Sequence, residues 1–170
     1  MKRVVLLAAL LAAPALAGEV PASVDPALIP NYVVIRPGLA AGGQPTAEGL
    51  KQLRAQGFKT VINLRTAAEP GLAEEEEAVK AQGLRYLHVP VSPATFRAED
   101  VAAVKAVLED PSMAPVLLHC ATSNRVGAVW AVIESQQGKS QEQAEAEGRR
   151  VGLKGEAMLE AVRRVVKDPR

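Results

Sequence analysis

Three short apolar runs recur along this chain, residues 58–64 (FKTVINL), 84–91 (LRYLHVPV) and 115–119 (PVLLH), and helical stretches separate them. Runs of this length, rich in β-branched residues and leucine, read as strands, the one over 115–119 as a buried strand. Strands that alternate with helices are joined by crossovers, which leaves a mostly parallel sheet with a layer of helices on each face. The fold class expected is therefore α/β, a three-layer arrangement whose central, mostly parallel sheet has about four to five strands flanked by helices.

The flanking segments fit that frame. Residues 32–35 and 39–43 are strand-like and are joined by the turn Pro37-Gly38. Thr46 is placed to cap a helix that carries Leu50 and Leu53 on one face and stops at Gly57. Thr66 and Glu69 have capping-box spacing, although Pro70 and Gly71 delay the next helix until Leu72. The run Glu74-Glu75-Glu76-Glu77 in that helix reads as a solvated face, since its carboxylates fan around the axis and no histidine lies near. Glu99 or Asp100 opens a helix bearing Val101, Val104, Val107 and Leu108 on one side. A capping box at Ser140 and Gln143 starts a helix to about Val151, and an amphipathic helix over residues 155–166 follows.

Residues 1–17 have the layout of an export signal: Lys2 and Arg3, an apolar stretch over 4–13, then Ala15-Leu16-Ala17. The apolar stretch is too short to span a membrane. A cut near Ala17-Gly18 is expected, followed by an irregular arm over 18–31, a domain over 32–168, and a periplasmic or secreted location without stable membrane insertion. Without Lys2 and Arg3 the chain carries 18 basic against 19 acidic residues, a balance that argues against nucleic acid as a partner. The single cysteine, Cys120, has no partner for an internal disulfide, and an unpaired thiol in an oxidising compartment calls for a purpose.

Cys120 opens the sequence Cys120-Ala121-Thr122-Ser123-Asn124-Arg125, which joins the strand ending at His119 to a helix over residues 126–133. A loop that runs into a helix N-terminus directs backbone N–H groups and the positive end of the helix dipole at one spot. A cysteine there is expected to ionise more readily than a free thiol. The Arg125 guanidinium can fork onto two oxygens of a tetrahedral oxyanion. Residues 121–125 are thus the candidate oxyanion cradle, and Cys120 the candidate nucleophile. Arg65, at the end of a strand on the same side of the sheet, is a candidate second anion contact or a salt-bridge partner. His88 reads as structural, and the spacing of His88, His119 and Cys120 matches no zinc pattern.

The stretches 39–46 (LAAGGQPT), 60–65 (TVINLR), 86–91 (YLHVPV) and 116–125 occur in an order and spacing that resemble a known family over residues 30–137. The chain is similar to the cysteine-dependent phosphatase superfamily of tyrosine and dual-specificity phosphatases, and within it to the bacterial beta-lactamase-hydrolase-like phosphatases. The resemblance implies that Cys120 attacks phosphorus while the loop amides and Arg125 hold the oxygens, with no cofactor and no metal. It also implies a phosphorylated small molecule or a phosphoprotein as substrate, and a role for His119 in ordering the loop.

Three departures point to weak activity. Four residues stand between Cys120 and Arg125 where the superfamily usually has five, a shorter loop that the beta-lactamase-hydrolase-like subgroup shares. Val126 follows the arginine in place of a hydroxyl residue, and residues 92–97 (SPATFR) hold no carboxylate to act as general acid. Glu99 and Asp100 are the remaining acid candidates, and their position equally suits capping. Two rival readings stay open: a rhodanese-like sulfurtransferase with a Cys120 persulfide, although the glycine-rich segment usual in rhodaneses is missing, and a non-catalytic exported oxyanion-binding module.

Overall fold

The structure is a computed structural model and describes residues 18–168. The export signal expected over residues 1–17 lies outside these. Eleven elements follow one another: β1 (Val33–Arg36), β2 (Leu39–Gly42), α1 (Ala47–Gln52), β3 (Thr60–Asn63), α2 (Leu72–Ala81), β4 (Arg85–His88), α3 (Ala98–Glu109), β5 (Val116–His119), α4 (Asn124–Gln136), α5 (Gln141–Val151) and α6 (Glu156–Lys167). The five strands form one sheet in the order β1-β2-β5-β3-β4. Only the hairpin β1–β2 is antiparallel; β2–β5, β5–β3 and β3–β4 are parallel. This is the three-layer α/β fold that alternation along the chain requires.

Strand side chains alternate between the two faces, and each face has its own core. Ala40, Val61 and Leu117 pack with Leu50, Leu53, Phe58 and Val79 on the side of α1 and α2. Leu39, Ile62, Val116 and Leu118 pack with residues of α3, α4 and α6 on the other. The irregular arm belongs to the first core: Ile29 is fully buried, and the Leu28 carbonyl accepts the Thr46 N–H at 2.9 Å. Thr46 caps α1 by accepting the Gly49 N–H, and Ser140 and Gln143 form a reciprocal capping box at α5.

β5 is the central strand, and its last residue lies between Gly42 of β2 and Asn63 of β3. The segment that follows therefore emerges at the carboxyl edge of the sheet, between two parallel neighbours, where open α/β sheets bind ligands. α4 is buried from Val126 to Glu134 and is itself covered by α5. The covering is close enough that a Cβ on Gly127 would lie 2.3 Å from the Leu153 nitrogen and 2.4 Å from the Gly148 oxygen. Both obstacles are backbone atoms, which cannot rotate away. Gly127→Ala is therefore expected to destabilise the fold by about 2–3 kcal/mol or more, read as a lower midpoint in urea. A change within about 0.5 kcal/mol would show that α4 and α5 do not approach this closely.

Candidate active site

The loop after β5 is fixed from several directions. The Cys120 N–H meets the Gly42 carbonyl, and the Ala121 carbonyl accepts the Gln44 N–H at 3.1 Å. The Thr122 carbonyl accepts from the Asn31 side chain at 3.4 Å. Ser123, fully buried, takes φ 68°, a left-handed conformation that costs a non-glycine residue energy unless its surroundings enforce it. Its hydroxyl donates to the Val151 carbonyl at 2.8 Å, and Gly152 comes so close behind it that a Cβ there would lie 2.8 Å from the Ser123 Cβ. The Asn124 side chain accepts the Lys154 N–H at 2.8 Å. The turn between α5 and α6 is thus a buttress for the loop.

Arg125 sits in the first turn of α4. Its Nη1 and Nη2 donate to the two carboxylate oxygens of Glu69 at 2.5 and 3.0 Å, a bidentate pair, and Nη1 also reaches the Val91 carbonyl at 3.4 Å. Burial acts to lower the pKa of Arg125, but the Glu69 carboxylate and the Cys120 sulfur, which the guanidinium also faces, outweigh it and push it up. Cys120 is buried on the α4 side of the sheet. The bonds from Arg125 in turn hold the Glu69 carboxyl at about 2, well below its ordinary value, against a smaller opposing effect of burial. Cys120 and Arg125, the two residues that the sequence proposed for one site, are brought together; Glu69 is a third member.

Arg65 does not lie open to a ligand. It is 6% exposed, and its guanidinium is enclosed by Gln44 Oε1 at 2.7 Å, Glu69 Oε2 at 3.3 Å, Glu75 Oε2 at 3.5 Å and the Pro70 carbonyl. Of the two roles open to it, second anion contact or salt-bridge partner, the structure shows the second, as a bridge between two carboxylates. Glu75 corrects the expectation of a solvated acidic run: it is 1% exposed, whereas Glu74 and Glu77 face solvent. Its carboxylate accepts from Asn63 Nδ2 at 3.0 Å and from Gln44 Nε2 at 2.6 Å, and pairs with His119 Nε2 at 2.8 Å. Burial alone would raise its pKa; His119, Gln44 and Arg65 together hold it below the ordinary value.

His119 alternates with Cys120 and so points to the opposite face of the sheet, toward α2. Its Nε2 pairs with Glu75 and its Nδ1 has no hydrogen-bond partner among the described residues, so it makes no bond to the loop amides. His88 pairs with the Arg65 carbonyl at 2.6 Å, a structural role. Asp100 accepts the Arg97 N–H at 2.9 Å as the capping residue of α3, and Glu99 is exposed in the same turn. Glu69, Glu75, Gln44 and Asn63 were not proposed from the sequence as members of the site, yet signals existed. Glu75 falls on the same helical stripe as Leu72 and Val79, and Glu69 stands four residues after Arg65 in a loop at the carboxyl edge of the sheet. Among the described residues, no group of three or more His, Cys, Asp or Glu is arranged to hold a metal ion.

Comparison with known proteins agrees with this architecture. A candidate phosphatase of the DUF442 type from Shewanella putrefaciens superposes with a TM-score of 0.66 at 22% identity, over 83% of this chain and 89% of that one. TpbA of P. aeruginosa, in a complex with phosphotyrosine, superposes with a TM-score of 0.64 at 23% identity, over 91% of this chain and 90% of that one. At such identities the likeness establishes the fold. In sequence, a beta-lactamase hydrolase-like protein of Agrobacterium fabrum is 33% identical over 107 residues, 61% of this chain and 25% of that protein. The chain spans about a quarter to a third of the length of the curated relatives it matches. The family model described as the DSP-PTPase phosphatase fused to NAD+ kinase matches residues 34–164, from β1 into α6, and with a match of that extent the chain belongs to the DSP-PTPase phosphatase family.

Proposed function

We propose that this protein hydrolyses phosphate monoesters through a phosphocysteine intermediate, slowly and with preference for good leaving groups. The observation that carries the reading is the position of Arg125, in the first turn of α4 five residues after Cys120 and held by the bidentate pair with Glu69. A guanidinium has five N–H donors, so the bidentate pair with Glu69 leaves donors for an incoming oxyanion. Sγ of Cys120 then attacks phosphorus, the ester oxygen departs with its electron pair, and water later attacks the phosphocysteine to release inorganic phosphate and the thiolate. The preference for good leaving groups follows from the acids at hand. Glu69, with a pKa of about 2, is ionised at neutral pH and has no proton to give. Asp100 is engaged in capping α3. The relatives' names support a phosphorylated small molecule or phosphoprotein as substrate.

Purified protein should release phosphate from aryl phosphates, with a rate that falls steeply as the leaving phenol becomes less acidic, and Cys120→Ser should abolish it. Thiocyanate formation from thiosulfate and cyanide without phosphate release would replace this reading with the sulfurtransferase; anion-dependent stabilisation without either turnover would replace it with a binding module.

Glu69 has a positioning role that separates from folding by pH. Its folded-state pKa is depressed, so its contribution to stability is complete above the ordinary value of 4.5 and is lost as pH falls toward about 2. That contribution is about 3 kcal/mol at most, reduced because water reaches a carboxylate that is 26% exposed. Glu69→Gln should flatten the loss of stability between pH 5 and 2 and slow turnover about ten- to a hundredfold through misplacement of Arg125. An unchanged acid profile would remove Glu69 from this role.

We also propose that residues 1–17 direct export and are removed. Amino-terminal sequencing of protein from the periplasmic or secreted fraction should begin at Gly18; a cytoplasmic product that retains Met1 would overturn this.

A further inference from the structure

A basic space unrelated to the loop lies at the opposite edge of the sheet. β3, β4 and β5 are parallel, so their first residues share one edge, and their last residues, Asn63, His88 and His119, share the edge that carries the loop. At the first edge is a hollow of about 480 Å³. It is bounded by Arg54, which follows α1, by Lys59 just before β3, by Gly83 and Arg85 at the start of β4, and by Ser112 before β5. The four residues of β5, at about 3.3 Å each, separate this edge from Cys120, so a small occupant of the hollow touches no part of the proposed active site.

The hollow is cationic and its arginines are anchored. Arg54 Nη1 donates to the Gln82 carbonyl and Arg85 Nη1 to the Ser112 carbonyl, each at 2.7 Å. Both acceptors are neutral, so these bonds orient the guanidinium groups without cancelling their charge, and each group keeps most of its five N–H donors. Gly83 makes room for one of them, since a Cβ there would lie 2.9 Å from Arg54 Nη1. Lys59 adds an ammonium group on an exposed side chain. Among the described residues, none of these three cations is in an ion pair. Two carboxylates stand near. Asp110 acts on Arg85 from outside the lining and is itself bonded to the Ser112 N–H at 2.8 Å. Glu19, whose carbonyl approaches Gly57, lines a separate hollow with Arg36.

We propose that this hollow is a second anion site, distinct from the loop, that takes the phosphoryl group of a free small molecule. Two planar forks and a point charge around one concavity suit a tetrahedral group with oxygens on several sides, whereas a carboxylate presents two oxygens in one plane. The charge agrees: with Asp110 set against Arg85, the cations of Arg54 and Lys59 remain, and a phosphoryl group carries about −1.5 to −2 near neutral pH. Anchored guanidinium groups lose little freedom when an anion binds, which lowers the cost of association. A free molecule is favoured over a membrane surface because the hollow is concave and the chain without Lys2 and Arg3 has 18 basic against 19 acidic residues, whereas a surface calls for a wide spread of cations. The site is independent of turnover at the loop.

The test is a titration of isotope-labelled protein with inorganic phosphate, read at the backbone amides, with sodium chloride of matched ionic strength as the blank. Saturable shifts are expected at Gly57, Gly83 and Arg85, separate from any at the loop. The double variant Arg54→Ala, Lys59→Ala should weaken the binding seen at the hollow about tenfold or more and leave the loop shifts and the rate on aryl phosphates unchanged. Both side chains are exposed, so the variant should fold. Shifts at the hollow that chloride reproduces, that do not saturate, or that the variant retains overturn the proposal. Shifts confined to the loop overturn it too and leave the phosphatase reading standing; shifts confined to the hollow support it and count against the loop alone. A last arm uses phosphatidylcholine vesicles with and without phosphatidylglycerol. Binding to the anionic vesicles that the variant loses, without saturable binding of phosphate, overturns the proposal in favour of a membrane surface.

Discussion

The carboxylate of Glu75 is buried beneath the carboxyl edge of the sheet, and the site above depends on it. It reaches from α2 to the ends of three strands at once, through Gln44 after β2, Asn63 on β3 and His119 on β5. A buried charge without partners is expensive, and removing one partner from such a pair typically costs about 3–5 kcal/mol. The geometry of these strand ends is consequently tied to the position of α2. Arg65 extends the tie, since its guanidinium spans Glu75 and Glu69, and Glu69 grips Arg125. Charge alternates along this chain of contacts from Glu75 through Arg65 and Glu69 to Arg125, so each of these groups has a neighbour of opposite sign.

The network also crosses the sheet. His119 and Cys120 are adjacent in sequence and face opposite cores, so a pair buried on the α2 side fixes the backbone from which the sulfur projects on the α4 side. From the far side, the α5–α6 turn fixes the same loop through Ser123 and Asn124. The contact of α4 with α5, backbone against backbone at Gly127 and Gly148, sets where that turn lies. Two independent supports thus converge on a six-residue loop, and this accounts for the tolerance of a left-handed serine within it.

The strands and helices were legible because burial imposes periods that sequence records directly. Residues 58–64 and 115–119 are apolar without alternation since both faces of β3 and β5 are covered, and the caps at Thr46 and Ser140 are local chemistry. Cys120 and Arg125 were legible for the same reason, as one short loop holds both. The partners of Arg125 were not. Glu69 is 56 residues away and its capping-box spacing with Thr66 gives a sufficient local reason for its presence; indeed it accepts the Thr66 N–H at 2.8 Å as well. Glu75 was hidden by its own neighbours: in a run of four glutamates the composition suggests solvent, and only the stripe shared with Leu72 and Val79 marks it as inward. Arg65 read equally as an anion contact or a salt-bridge partner because its place at the strand end suits both, and the two carboxylates that pair with it come from the following loop and helix.

The electrostatics of the loop bear on what it can do as a proposed catalyst. Each charged group near Arg125 is arranged to stay charged at neutral pH: the Glu69 pKa is lowered to about 2 and that of Arg125 is pushed up by Glu69 and the Cys120 sulfur. Such a site is suited to holding an oxyanion and poorly suited to delivering a proton, because a general acid needs a pKa close to the working pH. Protonation of the leaving oxygen and stabilisation of its charge are alternative ways to lower the same barrier. Where the first is missing, the leaving group must bear its own charge, so the lack of a carboxylate in residues 92–97 restricts such a site to esters of acidic phenols.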